Sequence, residues 1–298
     1  MTFNFSLSLV VLLRILANPV SNVFQKQLAD RSASPIFIIG MAHLCLAVTC
    51  IPLIVIAGAP AVSKDAWINM LAAATLAVSG NTLLVYALRS SDLSILGPIN
   101  AYKSVIGLFL ATFLIGEYPS AAGVAGVLLI VAGSYFVVDR QVGEPRSNAF
   151  VTFVRERGVQ LRFAALVLAA TEAVFLKRAI LQSSPWTVFV LWSVLGVPLA
   201  GVASLVFRET SVRQQAEKVR RWWPTFLALA ITTGLMQLTT VLTFGQMQVG
   251  YSLALFQLSA IVSVLLGHRY FQEKNIRKRL AGSLVMTAGA IMIVAFGS

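Results

Sequence analysis

Arg14, Asn18, Asn22 and Gln25 recur at steps of four, four and three within an apolar run, which places four polar side chains on one helical face. Asn100, Lys103 and Gly107 form a second such face at steps of three and four, and Glu172 is the one acidic residue at comparable depth in an apolar run. An uncompensated lysine at the centre of a spanning helix costs at least about 2.5–3.5 kcal/mol, so each of these charges needs a partner, several carbonyls or a hydrated cavity. The chemistry on offer is recognition of a polar solute and proton exchange at Glu172. Two arrangements remain open. Lys103 and Glu172 pair and hold two parts of the chain together, or Glu172 and an anionic substrate compete for Lys103 or Arg14, so that protonating Glu172 frees a cation for substrate. The first stripe also reads as interhelical hydrogen bonding, with Arg14 reaching toward the nearer interface.

The elements that must position these residues are apolar runs of about twenty residues, the length that crosses a bilayer as helix. Ten spans are predicted: Phe5 to Leu28, Ile36 to Gly58, Trp67 to Leu88, Leu93 to Ile115, Ala121 to Val138, Phe163 to Leu181, Trp186 to Phe207, Trp223 to Phe244, Tyr251 to Tyr270 and Leu280 to Phe296. Hydrophobic residues make up 58% of the chain and charged residues 11%, which excludes an ordinary soluble domain. The partner is the lipid bilayer. The net charge of +12 resides in short basic clusters between apolar runs, so it reads as membrane topology and not as nucleic-acid binding. The first run lacks a basic leader and a convincing cleavage site, and is read as a retained helix.

The chain also repeats. Glu273, Gly282 and Gly289 follow Glu117, Gly126 and Gly133 by 156 positions, and the same offset carries Asn81 onto Gln237 and Lys103 onto Ser259. Phe24 and Lys26 match Phe175 and Lys177 at an offset of 151. The expectation is an all-α membrane protein of ten transmembrane helices in two five-helix repeats, 1–138 and 163–298, joined by a basic linker, 139–162. An odd helix number per repeat inverts the second copy, and substrate sites in such designs lie near the midplane where the repeats meet. The amides Asn81 and Gln237, equivalent between the repeats, are placed across that axis, either lining the substrate path or forming a polar hinge; Gln257 joins the candidate lining. Thr233, Thr240, Ser252, Ser259 and Ser263 read as packing residues.

Eighteen Lys and Arg lie in the loops of one face, while Lys64, Lys177 and Arg178 lie on the other. The rich face is cytoplasmic by the positive-inside rule, so both termini are expected outside a cell (inner) membrane.

Ala87, Leu88, Ser91-Asp92-Leu93-Ser94, Gly97-Pro98, Gly116-Glu117, Gly126 and Gly133, with Glu273, Gly282 and Gly289 in the second half, resemble the EamA-type branch of the drug/metabolite transporter superfamily. The resemblance implies ten helices in two inverted repeats around a central cavity, and export or exchange of small metabolites. One departure stands out. Relatives carry basic residues after the first-half Glu and at the tail, whereas here the turns read EYPSAAG and EKNIRKR and the tail is uncharged, so the loop charges invert the orientation.

The resulting expectation is a secondary active transporter, exporter or exchanger, of a small polar metabolite, anionic or zwitterionic because Arg14, Lys103 and Lys26 face a single carboxylate, with Glu172 as the proton-coupling group. The alternatives are a lipid-headgroup flippase or a multidrug, lipophilic-cation exporter of the same fold. No catalytic constellation, phosphate loop or metal-ligand spacing appears, so no enzyme, cofactor or metal is expected. His43 reads as a hydrogen-bonded packing residue, and Cys45 and Cys50 as neither disulfide nor metal site. Gly126 and Gly133 mark a close helix approach, whose neighbour lies in this chain or in a second copy of a homodimer. Glu117 and Glu273 orient their turns. The segment 151–162 reads as an interfacial helix or as disordered linker.

Overall fold

The structure is a computed structural model that describes residues 5–57, 62–91, 96, 99–100, 102–135, 155–207, 212–272 and 276–296. Eleven helices run through these residues: α1 Phe5–Asp30, α2 Pro35–Ala57, α3 Lys64–Ser90, α4 Tyr102–Ile115, α5 Ala121–Tyr135, α6 Arg157–Gln182, α7 Pro185–Val206, α8 Val212–Gln246, α9 Val249–Phe256, α10 Ser259–Phe271 and α11 Ile276–Phe296. No strand occurs among the described residues. Seven segments are long and apolar enough to cross a membrane, counting α9 and α10 together as Val249–Phe271. Stretches of α4, α5 and α11 are shorter apolar helices. In a bilayer the helix is favoured because it satisfies every backbone N–H and C=O within its own segment.

The sidedness of α1 shows the solvent for which it is built. Arg14, Asn22 and Gln25 are buried, while Leu9, Leu12 and Leu16 are exposed. A surface helix of a soluble protein does the reverse. The same pattern on α2 leaves Val48, Ile51 and Val55 outside and buries His43. These faces belong against lipid.

Helix boundaries follow local chemistry. Ser63 accepts the Ala66 N–H at the start of α3, and Ser184 accepts that of Thr187 with Pro185 at the first helical position of α7, the residue types that satisfy or dispense with orphan donors there. Gly116 takes φ +69°, the left-handed conformation that glycine adopts without strain, and turns the chain from α4 toward α5. Near α8's start, Trp222 leaves helical geometry (φ −120°, ψ 26°) just before Pro224, so Val212–Arg221 forms a short helix set off from the apolar run.

Two predicted spans differ in the structure. The fourth, expected from Leu93, is helical at Leu96 and Ile99 and from Tyr102 onward, with Lys103 N–H bonded to Asn100 O at 3.0 Å, while 92–95, 97–98 and 101 lie outside the described residues. The ninth is broken at Gln257 and Leu258, where successive turn hydrogen bonds to Ala254 O and Leu255 O replace the helical ladder. The sixth was expected from Phe163, but α6 starts at Arg157, so 157–162 is helical. Its polar first turns are held by tertiary contacts: the Arg162 Nε–H donates to Leu96 O at 3.2 Å, and Gly158 packs directly on Ser91.

Helices pair across the two halves of the chain. The most extensive contacts are α3 with α6, α5 with α11, α1 with α8 and α2 with α7, followed by α4 with α6 and with α9. Two polar bonds, Ser21 Oγ with Thr233 Oγ1 at 2.9 Å and Arg14 Nε donating to Thr240 Oγ1 at 2.6 Å, tie α1 to α8. At α5 and α11 the two backbones themselves come into contact. A Cβ at Gly133 would lie 2.8 Å from Gly282 O, and one at Gly289 would lie 2.5 Å from Gly126 O. The neighbour of the glycine stripe is thus within this chain.

Candidate functional site

A cavity between α1, α3, α4, α6, α8 and α9 is lined by Arg14, Asn18, Asn22, Asn81, Asn100, Lys103, Glu172 and Gln237. These are eight of the ten residues singled out from the sequence. Arg162, Thr240 and Met236 complete its polar and soft rim, and Leu84, Leu166, Leu176, Phe244, Leu253 and Phe256 close the apolar walls.

Arg14 comes from the middle of α1, where its guanidinium lies 4.6 Å from the centroid of the Phe256 ring while Nε is held by Thr240. A cation over an aromatic face gains electrostatic attraction without neutralising its charge. Arg14 Nη1 has no hydrogen-bond partner, and neither has Gln237 Nε2, although both are buried. A buried donor left unpaired costs about 1–3 kcal/mol, so two of them in one cavity mark a place where an acceptor is wanted.

Glu172 is fixed from behind. The Trp192 Nε1–H donates to Glu172 Oε1 at 3.0 Å, and the Trp192 ring, wholly buried, packs on His43 with centroids 4.2 Å apart. His43 is the packing residue expected, but its Nδ1 makes no hydrogen bond. Lys103 and Glu172 do not form a direct ion pair: among the described residues the one pair within 4.0 Å is Lys177 with Glu117, at 3.9 Å. Lys103 instead lies within electrostatic reach of Glu172, Arg14 and Arg162 together. It is the second residue of α4, and its N–H bonds to Asn100 O at 3.0 Å.

Gln25 and Gln257 lie outside the cavity lining. Gln25 is buried with Oε1 unpartnered, and Gln257 turns its Nε2 back to Leu253 O at 2.8 Å. Lys26, which had been counted toward a positive cavity, is also elsewhere: its Nζ donates to Ser91 O at 2.9 Å and sits over the Phe271 ring. Its counterpart Lys177 donates to Met247 O at 3.0 Å and to Phe244 O at 2.5 Å.

Arg162 is the lining residue that the sequence reading missed. It had been assigned to the linker, yet Arg162, Leu166, Ala169, Ala173 and Leu176 all line the cavity at steps of four, three, four and three, a single face of α6. The signal was available: carrying the helical period back ten residues from Glu172 reaches Arg162.

Outside the cavity, Glu117 follows the Gly116 turn and accepts the Val249 N–H at 2.7 Å, capping the start of α9. Burial raises its carboxyl above the ordinary value, against the opposing influence of the Val249 N–H and Lys177. The equivalent Glu273 lies outside the described residues, as do 151–154 and most of the 139–156 linker. Cys45 and Cys50 are free thiols. No group of three or more metal-ligating side chains occurs among the described residues.

Residues 7–139 match the model of the EamA-like transporter family, part of the drug/metabolite transporter superfamily. The resemblance read from the motifs is borne out over that stretch. No curated protein matches the chain. A solved crystal structure is similar in fold, with a TM-score of 0.70 at 16% identity, covering 98% of this chain and 97% of its own. The seven helices long and apolar enough to span a bilayer fit a multi-pass membrane protein, and the transporter-family match covers residues 7–139 of it.

Proposed function

We propose that this protein is a secondary active transporter that moves a small polar metabolite, anionic or zwitterionic, by alternating access between two inverted five-helix halves. The carrying observation is the cavity itself. It gathers Arg14, Lys103 and Arg162 against the single carboxylate Glu172 and keeps two buried donors, Arg14 Nη1 and Gln237 Nε2, without partners. An oxyanion answers both features, and an excess of cations disfavours the lipophilic-cation alternative.

Several contacts support inverted repeats. Gly133 meets Gly282 while Gly289 meets Gly126, and these four are related by the offset of 156. A contact in which i meets j′ and j meets i′ is what a twofold relation generates. The Lys26 bond to Ser91 O and the Lys177 bond to Met247 O repeat one another, since Ser91 and Met247 are also 156 apart. Counting the short apolar helices α4, α5 and α11 with the seven long segments gives ten spans, and a cavity fed from both halves is where such a carrier holds its substrate. On this reading Glu172 competes with substrate for Lys103 and Arg14, and its protonation couples proton movement to transport. The loop charges set both termini on the non-cytoplasmic side.

Counterflow in reconstituted vesicles tests the function. Labelled carboxylate-bearing metabolites should accumulate against unlabelled substrate inside. Headgroup movement of a labelled lipid with no flux of any water-soluble metabolite would instead establish the flippase alternative.

A further inference from the structure

Two guanidiniums converge on one indole outside the cavity lining. The Arg31 guanidinium carbon lies 3.7 Å from the centroid of the Trp222 ring, and that of Arg221 lies 5.2 Å from the same centroid. Arg31 Nη1 also donates to Thr225 Oγ1 at 3.2 Å, so its position is fixed by two contacts. The platform is rigidly seated. Ser34 N–H donates to Gln215 Oε1 at 3.2 Å, Lys218 Nζ donates to Ser32 O, and Val219 and Trp222 pack on the core formed by Leu28, Ile38 and Phe226.

Both arginines are solvent-exposed, and among the described residues neither has a carboxylate within 4.0 Å. Asp30 and Glu217 are acidic neighbours in sequence, yet neither forms an ion pair within 4.0 Å among the described residues. Two like charges held on one ring without a counterion repel each other and gain from a shared anion, and planar guanidinium groups match phosphate oxygens well. Directly below, Trp223, Leu227, Ile231 and Leu235 are exposed at steps of four, an unbroken apolar stripe down the outer face of α8. An anion above and hydrocarbon below are the two ends of one kind of molecule.

We infer that Arg31, Arg221 and Trp222 form a headgroup site for an anionic phospholipid, whose acyl chain runs along Trp223, Leu227, Ile231 and Leu235. The kink at Trp222 creates the site, because it turns the basic segment Val212–Arg221 out of the spanning direction and leaves the indole between the two arginines. By the loop charges this is the cytoplasmic leaflet. The site is independent of what the cavity carries.

The full chain, purified and placed in nanodiscs of phosphatidylcholine or of an equal mixture with phosphatidylglycerol, tests the assignment. Native mass spectrometry of the unaltered protein should show phosphatidylglycerol enriched among retained lipids, and the mixture should raise the melting temperature. The Arg31→Gln, Arg221→Gln double variant should melt with the unaltered protein in pure phosphatidylcholine while losing both effects. Equal retention of the two lipids, or persistence of the enrichment in the double variant, overturns the site. So does an equal rise in melting temperature with inorganic phosphate alone, which would make it a site for free anions.

Discussion

Trp192 and Glu172 are joined by one hydrogen bond, Nε1 to Oε1 at 3.0 Å, which fastens α7 to the carboxylate of the cavity. Phenylalanine at 192 keeps most of the buried ring and removes the donor. Trp192→Phe should lower stability by about 1.5–3 kcal/mol, the range for a hydrogen bond to a charged group. Thermal unfolding of Trp192→Phe, Glu172→Ala and the double variant forms a cycle, and additive losses would mean that the bond carries no coupling.

Glu172→Gln keeps the side-chain shape and an acceptor for Trp192 while removing the titrating group. Substrate binding should survive, and dependence of uptake on an imposed pH gradient should disappear. Vesicle uptake at equal and unequal pH decides this, and unchanged coupling would assign the proton to another group.

Lys103 and Arg162 approach the cavity from different halves of the chain. Lys103→Ala and Arg162→Gln should each weaken an anionic ligand about tenfold or more, given roughly 1.5–3 kcal/mol for a charged hydrogen bond. The check is a thermal-shift titration, since a ligand binding only the folded state raises apparent stability by mass action. A compound that stabilises the unaltered protein and both variants equally binds somewhere else.

Gly133 and Gly289 occupy matching positions in the α5 and α11 contact, so alanine at either should cost the same. Overpacking there meets backbone on the far side, and about 1–3 kcal/mol of destabilisation is expected from each substitution. Melting temperatures of Gly133→Ala and Gly289→Ala provide the comparison, and a neutral result for either removes the close approach.

Glu117 gives a pH dependence with a definite sign. Its carboxyl is raised above the ordinary 4.5 chiefly by burial, so folding takes up a proton between that pH and the raised value. Stability from this group is present below about 4.5 and is lost as pH rises through the folded value. Glu117→Gln retains an acceptor for Val249 N–H and should therefore flatten this fall, as read from melting temperature across pH 4 to 8.

Much of the site was legible because polar residues in an apolar run are rare and expensive. The Arg14, Asn18 and Asn22 stripe needed only the helical period, and Asn81 and Gln237 only the repeat. Depth was not legible. Gln25 shares the stripe, but eleven residues beyond Arg14 at 1.5 Å each puts it about 16 Å further along the axis, past the cavity. Gln257 is lost to the break between α9 and α10, where its amide bonds its own helix. Arg162 was hidden for the opposite reason. Its surroundings read as soluble linker, although the helical period carried back from Glu172 reaches it, and in the structure the helix runs through them with Arg162 bonded to Leu96 O.

The pairing of α1 with α8 also bears on how the chain is made. Ser21 and Arg14 wait for Thr233 and Thr240, more than two hundred residues later in synthesis, and α3 waits for α6. The newly inserted first half therefore rests in the bilayer with its polar stripe unmatched until the second half arrives, and a ribosome stalled before α6 would leave a fragment that quality control can recognise by that exposed stripe.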